Sequence, residues 1–254
     1  SGSGSSYSLT VSPTSETTGM ITVEVDAAVA TDAAGNNNIA ASQATQAFDT
    51  ASPTLTITDN TTGTAIGDVG FSFDFSEAVT GFTVDDISGS GGTKGTFSGS
   101  GDSYSLTVTP TADTTGSITV DVGASVATDA AGNSNTAAAQ ATQAFDAAAP
   151  AARGKITRIT DNVGFKKGNL ANNARTDDRK PTLSGTLSAA LSSRDTLRIY
   201  SGNAFLGNAT VSGKTWPFTP RSNLATNRTH IFKARVADAA GNLPPAAKPT
   251  RQIP

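Results

Sequence analysis

Residues 1–50 align without a gap on residues 98–147, an offset of 97, and about three quarters of the paired positions are identical. The shared blocks include YSLTV (7–11 and 104–108), VATDAAGN (29–36 and 126–133) and QATQAFD (43–49 and 140–146). A shorter relative, VADAAGN, stands at 236–242. A unit of this length is too long for a solenoid repeat and matches one sandwich domain. The repeat therefore divides the chain before any secondary structure is assigned. Residues 1–49 read as the C-terminal half of a first module, 50–147 as a complete second module, and 148–254 as a third, divergent and basic one. On this reading the first half-module needs completion, either by residues that precede it or by a strand from another chain.

Inside the complete copy the apolar period is two. Leu55 and Ile57 alternate in TLTITDN, Phe71, Phe73 and Phe75 in FSFDF, Tyr104, Leu106 and Val108 in YSLTV, and Ile118, Val120 and Val122 in ITVDV. Clusters of Gly, Ser, Asp and Thr punctuate these runs. About seven short strands result, as in an immunoglobulin-like β-sandwich. The third module repeats the scheme with KITRITDN, PTLSGTL, DTLRIY, AFLGNATV, KTWPFTP and THIFKARV. The expected fold class is all-β: tandem immunoglobulin-like sandwiches, about seven strands each, arranged as a rod.

Charge separates the parts. Up to Pro150 the chain carries 16 acidic residues and one base, Lys94; from Ala151 onward it carries 17 basic and 5 acidic residues. The basic part is either a solvated face or a contact for an anionic partner such as a glycan or a cell surface. No specific nucleic-acid motif is present, and no apolar run is long enough to span a membrane. SGSGSSYSLT has no basic segment followed by an apolar one, so it is not a signal peptide and the chain reads as a piece of something longer.

The order FSFDFSEAVTGFTVDDISGSGG, YSLTVTPTADTTGSITVDV and VATDAAGN resembles the bacterial Ig-like repeats of giant Bap-type biofilm adhesins. The third module, with ITDN, TDDRKPTLSGTL, IYSGNAFLGNATV, TWPFTP and ARVADAAGN, resembles the Ig-like modules of type I-secreted SiiE-like adhesins. The resemblance implies an extracellular, cell-surface stalk or adhesive array, commonly stiffened by calcium between modules. Its partners would be neighbouring modules of the same long chain.

Catalysis has little to work with. The chain has no cysteine and one histidine, His230, at the start of a strand with no evident nucleophile or orienting carboxylate. GNATVSGKT (207–215) misses phosphate-loop spacing by one residue and reads as strand–turn–strand. SGSGDSYSL resembles a calcium nonapeptide, but Asp102 is Ser5 in the other copy, which leaves a hairpin turn. A non-enzymatic segment is expected. Alternatives are a ligand-binding module acting through the basic third unit, and an accessory Ig-like domain of a secreted enzyme.

The acidic residues remain. Calcium takes six to eight oxygen ligands, whereas Asp and Asn also close turns by accepting neighbouring backbone N–H groups. Strand alternation puts each DAAGN loop at the pole where the preceding linker enters. Asp49 is then expected to meet Asp129, with Glu77 joining them, and Asp146 to meet Asp238. The connection 161–178 offers a further set, Asp161, Asp177 and Asp178. Both readings of DAAGN, turn and calcium loop, are open at this point.

Overall fold

The computed structural model describes residues 1–165, 167–244 and 251–253. Among them the regular structure is β, with one 3-10 turn at Val84–Asp86. The first segment forms two antiparallel pairs. A small hairpin joins β1 (Gly2–Ser3) to β2 (Ser6–Tyr7), and β3 (Thr18–Val23) pairs with β4 (Ala44–Asp49).

The second module contains β5 (Leu55–Asp59), β6 (Val69–Val79), β7 (Ile87–Ser90), β8 (Gly92–Pro110), β9 (Thr115–Val122) and β10 (Ala141–Asp146). They build two three-stranded sheets, β5-β6-β8 and β10-β9-β7. The long β8 is a hairpin in itself. Ser98 Oγ lies 3.0 Å from Ser105 Oγ, and Gly99 and Gly101 between them take positive φ of 137° and 69°. SGSGD thus needs glycine for its backbone, and the module has seven extended arms.

Alternation delivers the core. Phe71, Phe73, Leu106, Ile118, Val120 and Val122 are buried between the two sheets, as period-two strands dictate. Phe82 fills the end of this core, its ring edge-on to Phe75 at 5.2 Å and to Tyr104 at 5.1 Å. Such tilted arrangements set the positive ring edge against a negative face.

Sequence identity does not guarantee equal environments. Tyr104 and Leu106 are 8% and 1% exposed, while their counterparts Tyr7 and Leu9 are 76% and 74% exposed. Residues 1–49 correspond to the β8–β10 side of the module only. The strands that would face them, equivalent to β5 and β6, are not among these residues.

The third module has its own core, including Trp216, Phe232, Leu183, Ile199 and Ile253. Its strands are β11 (Gly154–Asp161), β12 (Gly168–Asn169), β13 (Thr182–Leu187), β14 (Thr196–Ser201), β15 (Ala204–Ala209), β16 (Thr215–Phe218), β17 (His230–Ala237) and β18 (Arg251–Ile253). Two four-stranded sheets result, β12-β11-β13-β16 and β15-β14-β17-β18. The register of β11 on β13 slips between Ile156 and Arg158. That bulge lets Ile156 and Ile159, three apart, both point inward, which strict alternation would forbid.

A candidate cation site at the module junction

The DAAGN loop is a closed turn in all three places. Asp129 Oδ1 accepts from the backbone N–H of Ala131 at 2.9 Å and of Asn133 at 2.8 Å, and Asn133 Nδ2 donates to Asp129 Oδ2 at 2.8 Å. Asp32 does the same with Ala34 and Asn36, at 2.9, 2.9 and 3.0 Å. Asp238 holds Gly241 and Asn242, at 2.7, 2.8 and 3.0 Å. Each glycine has positive φ: 87° at Gly35, 93° at Gly132 and 102° at Gly241. Aspartate closes the loop, glycine permits the bend and asparagine returns to the aspartate.

The asparagine has a second task. Asn133 Nδ2 also donates to the carbonyl oxygen of Asp49 at 3.3 Å, and Asn242 Nδ2 to that of Asp146 at 2.9 Å. In each case the acceptor is the last residue of the preceding module's final strand. That aspartate also turns its carboxylate onto the residue two ahead. Ala51 N–H donates to Asp49 Oδ1 at 3.0 Å, and Ala148 N–H to Asp146 Oδ1 at 3.1 Å. The junction around Asp49 is therefore tied by hydrogen bonds before any ion is considered, and Pro53 O accepts from Thr136 N–H at 2.9 Å close by.

Glu77 completes the first junction. Past a register irregularity in β6, Thr80 and Thr128 exchange two backbone hydrogen bonds of 2.8 and 3.0 Å, which draws the end of β6 against the DAAGN loop. One carboxylate oxygen from each of Asp49, Glu77 and Asp129 then lies within 4.8 Å of the others. Asp129 is buried, and Asp49 and Glu77 are half-buried.

The electrostatics follow from this crowding. Burial, then the charges of Asp129 and Asp49, push the Glu77 carboxyl above the usual glutamate range. Burial would raise Asp129 as well, but the hydrogen bonds from Asn133, Ala131 and Gly132 outweigh it and hold its pKa down. The sole base of the first 150 residues, Lys94, does not offset these charges. Its Nζ donates to the carbonyls of Val84 and Ile87, both at 2.8 Å. Three carboxylates, with no Lys or Arg paired to them among the described residues, present an all-oxygen donor set that fits a hard divalent ion.

The other sequence candidates assemble differently. Among the described residues no second trio of acids converges within 4.8 Å. At Asp146 and Asp238 no glutamate stands in for Glu77, since the third module contains only five acidic residues, all aspartate. In the 161–178 connection, the buried Asp161 accepts from Val163 N–H at 3.0 Å and Thr176 Oγ1 at 2.6 Å. Asp178, also buried, accepts from Asn162 N–H at 2.9 Å and Lys180 N–H at 2.8 Å. Their oxygens close turns, while the exposed Asp177 packs beside Gly164.

His230 is a strut between strand and loop. Its Nε2 donates to Ala225 O at 2.9 Å, since a carbonyl can only accept. Its Nδ1 lies within hydrogen-bond distance of Ser201 Oγ, at 2.9 Å.

The sequence reading missed the asparagines. Asn133 and Asn242 bridge loop to linker. Asn135 is 2% exposed and makes four bonds: from Val126 N–H and Ala127 N–H, both at 2.9 Å, and to Gly123 O at 2.9 Å and Thr136 O at 2.8 Å. The only signal was its recurrence as Asn38, two positions past the shared VATDAAGN block.

Residues 49–145 match the model of a family described as a bacterial Ig-like domain. The match covers less than half of the chain, spans the second module, and contains Asp49, Glu77 and Asp129. No curated protein is similar enough to the chain to count as a match. No helix among the described residues is long and apolar enough to cross a membrane.

Proposed function

From a bacterial Ig-like module in an all-β chain, we propose that this segment is a non-catalytic spacer of a bacterial cell-surface adhesin, with calcium stiffening the junction into the second module. The observation that carries this reading is the Asp49–Glu77–Asp129 trio, contributed from both sides of the linker. Asp49 ends a strand of the first module, Glu77 ends β6, and Asp129 opens the DAAGN loop. A cation bound to all three would oppose bending between modules, because rotating the linker would break coordination. The asparagine bridge holds the joint in place, and the ion would offset the repulsion that the joint creates.

At the junction into the third module, Asp146 and Asp238 share the turn and the asparagine bridge but offer two carboxylates. We assign this joint a weaker cation affinity or none. The near-identical repeat suits a spacer role, since reach grows with module number and duplication extends it. Small-angle scattering of the chain in EDTA and in calcium tests the proposal. Calcium is expected to lengthen and narrow the distribution of intramolecular distances, and superimposable curves would count against it.

A further inference from the structure

The basic third module has a groove of about 620 Å³ between the 175–179 segment ahead of β13 and the loop 224–229 that enters β17. Arg175, Arg179 and Arg228 line it. Arg179 is fixed twice: its carbonyl accepts from Leu224 N–H at 2.8 Å, and its Nε donates to Leu224 O at 2.9 Å. Among the described residues that leaves the two terminal guanidinium nitrogens of Arg179 for a ligand. Arg175 and Arg228 are exposed and have no hydrogen-bonding or ionic partner among the described residues. Two acids border the groove. Asp178 is buried with both oxygens on backbone N–H groups and sits behind the surface; with the exposed Asp177 it makes two acids against three guanidinium groups.

We propose that this groove binds a carboxylate-bearing polysaccharide. A planar guanidinium fork meets a carboxylate through two parallel hydrogen bonds, and three such forks around one groove suit a chain with regularly spaced carboxylates. Thr226, Asn227 and Thr229, also in the lining, supply the neutral donors and acceptors that sugar hydroxyls need. The volume falls within the range of small-ligand sites and takes a short stretch of such a chain. Single-stranded nucleic acid fits less well, because bases need aromatic platforms and the lining holds no Phe, Tyr or Trp. A lipid surface fits less well too, since none of the exposed large apolar side chains lies in the groove. The acidic first 150 residues would repel the same polymer, which confines contact to this end of the chain.

The test uses the 254-residue chain in EDTA, so that the outcome does not depend on any junction cation. Titration with fluorescent oligogalacturonate is expected to show binding that weakens as salt rises, and neutral dextran is expected not to bind. The pair Arg175→Gln and Arg228→Gln is expected to lower affinity by about tenfold or more, as loss of charged hydrogen bonds does. The pair Arg194→Gln and Lys214→Gln removes equal charge from exposed positions outside the groove and is expected to change affinity less than about twofold. Equal losses from both pairs, no binding of oligogalacturonate, or tighter binding of single-stranded DNA, anionic vesicles or another copy of the chain would overturn the proposal.

Discussion

Asn135→Ala tests how the DAAGN loop is held in position. The side chain is buried and satisfies two backbone N–H groups, Val126 and Ala127, and two carbonyls, Gly123 and Thr136. Truncation removes the partner of all four at a position only 2% exposed to solvent. At roughly 1 kcal/mol net for each lost bond, the cost is about 3–4 kcal/mol, a large share of the stability of a domain this size. Thermal unfolding of the second module should then move down by roughly 12–32 °C. Amide exchange at Val126 and Ala127 should lose most of its protection. The repeat supplies an internal control, because Asn38 makes the same four bonds, to Val29, Ala30, Asp26 and Ile39. In that more open copy water replaces the lost partners, so Asn38→Ala should cost less than about 1 kcal/mol. Equal costs at the two positions, or a cost below about 1 kcal/mol at Asn135, would refute the burial argument.

Glu77→Gln should stabilise the second module in EDTA by relieving repulsion from Asp49 and Asp129, read as a higher urea midpoint, while reducing calcium affinity by roughly tenfold through the lost charge. The pH dependence has a defined sign. A raised Glu77 means the folded module binds this proton more tightly than the unfolded chain, so its contribution is full below the ordinary glutamate range and is lost as pH rises through the raised value. Asp129, held low, contributes above the ordinary aspartate range and loses that contribution as pH falls through its depressed value. Urea midpoints of wild type and Glu77→Gln compared across pH 4–7 should therefore diverge toward the neutral end, and parallel curves would contradict this. Asn242→Ala should loosen the joint into the third module without unfolding it, detected as faster amide exchange around Asp146 and Ala148. Gly185→Ala should destabilise the third module by more than about 2 kcal/mol, because the added methyl would collide with Lys155 O and the Trp216 ring; chemical denaturation measures it.

The strand pattern could be read directly because each sheet has one buried face. Phe71, Phe73 and Phe75 alternate with Ser72 and Asp74, and the repeat fixed the module length independently. The Asp49–Asp129 meeting also followed from topology, since alternating strand directions return the DAAGN loop to the pole where the linker enters. The bulge that turns both Ile156 and Ile159 inward was not visible, because it arises from pairing with β13 and carries no glycine or proline mark. Asn133, Asn135 and Asn242 were missed for a similar reason. They bond to backbone groups, and backbone groups carry no residue code, so the partners emerge only once the loops are placed. Asp161, Asp177 and Asp178 lie close in sequence, yet among the described residues their oxygens do not converge within 4.8 Å as those of Asp49, Glu77 and Asp129 do; Asp161 and Asp178 turn instead to neighbouring N–H groups and the Thr176 hydroxyl.

The central claim is that the Asp49–Glu77–Asp129 trio takes calcium and thereby strengthens the joint into the second module. Thermal unfolding of the chain in EDTA against increasing calcium tests it most directly. At about one hundred times the dissociation constant, mass action predicts roughly 2.7 kcal/mol of added stability, a rise of about 10–20 °C in the second module's midpoint. The rise should be reversed by EDTA and much reduced in Glu77→Gln. A midpoint unchanged up to millimolar calcium, or an equal rise in Glu77→Gln, would contradict the account and leave DAAGN as a turn that ties one module to the next by its asparagine alone.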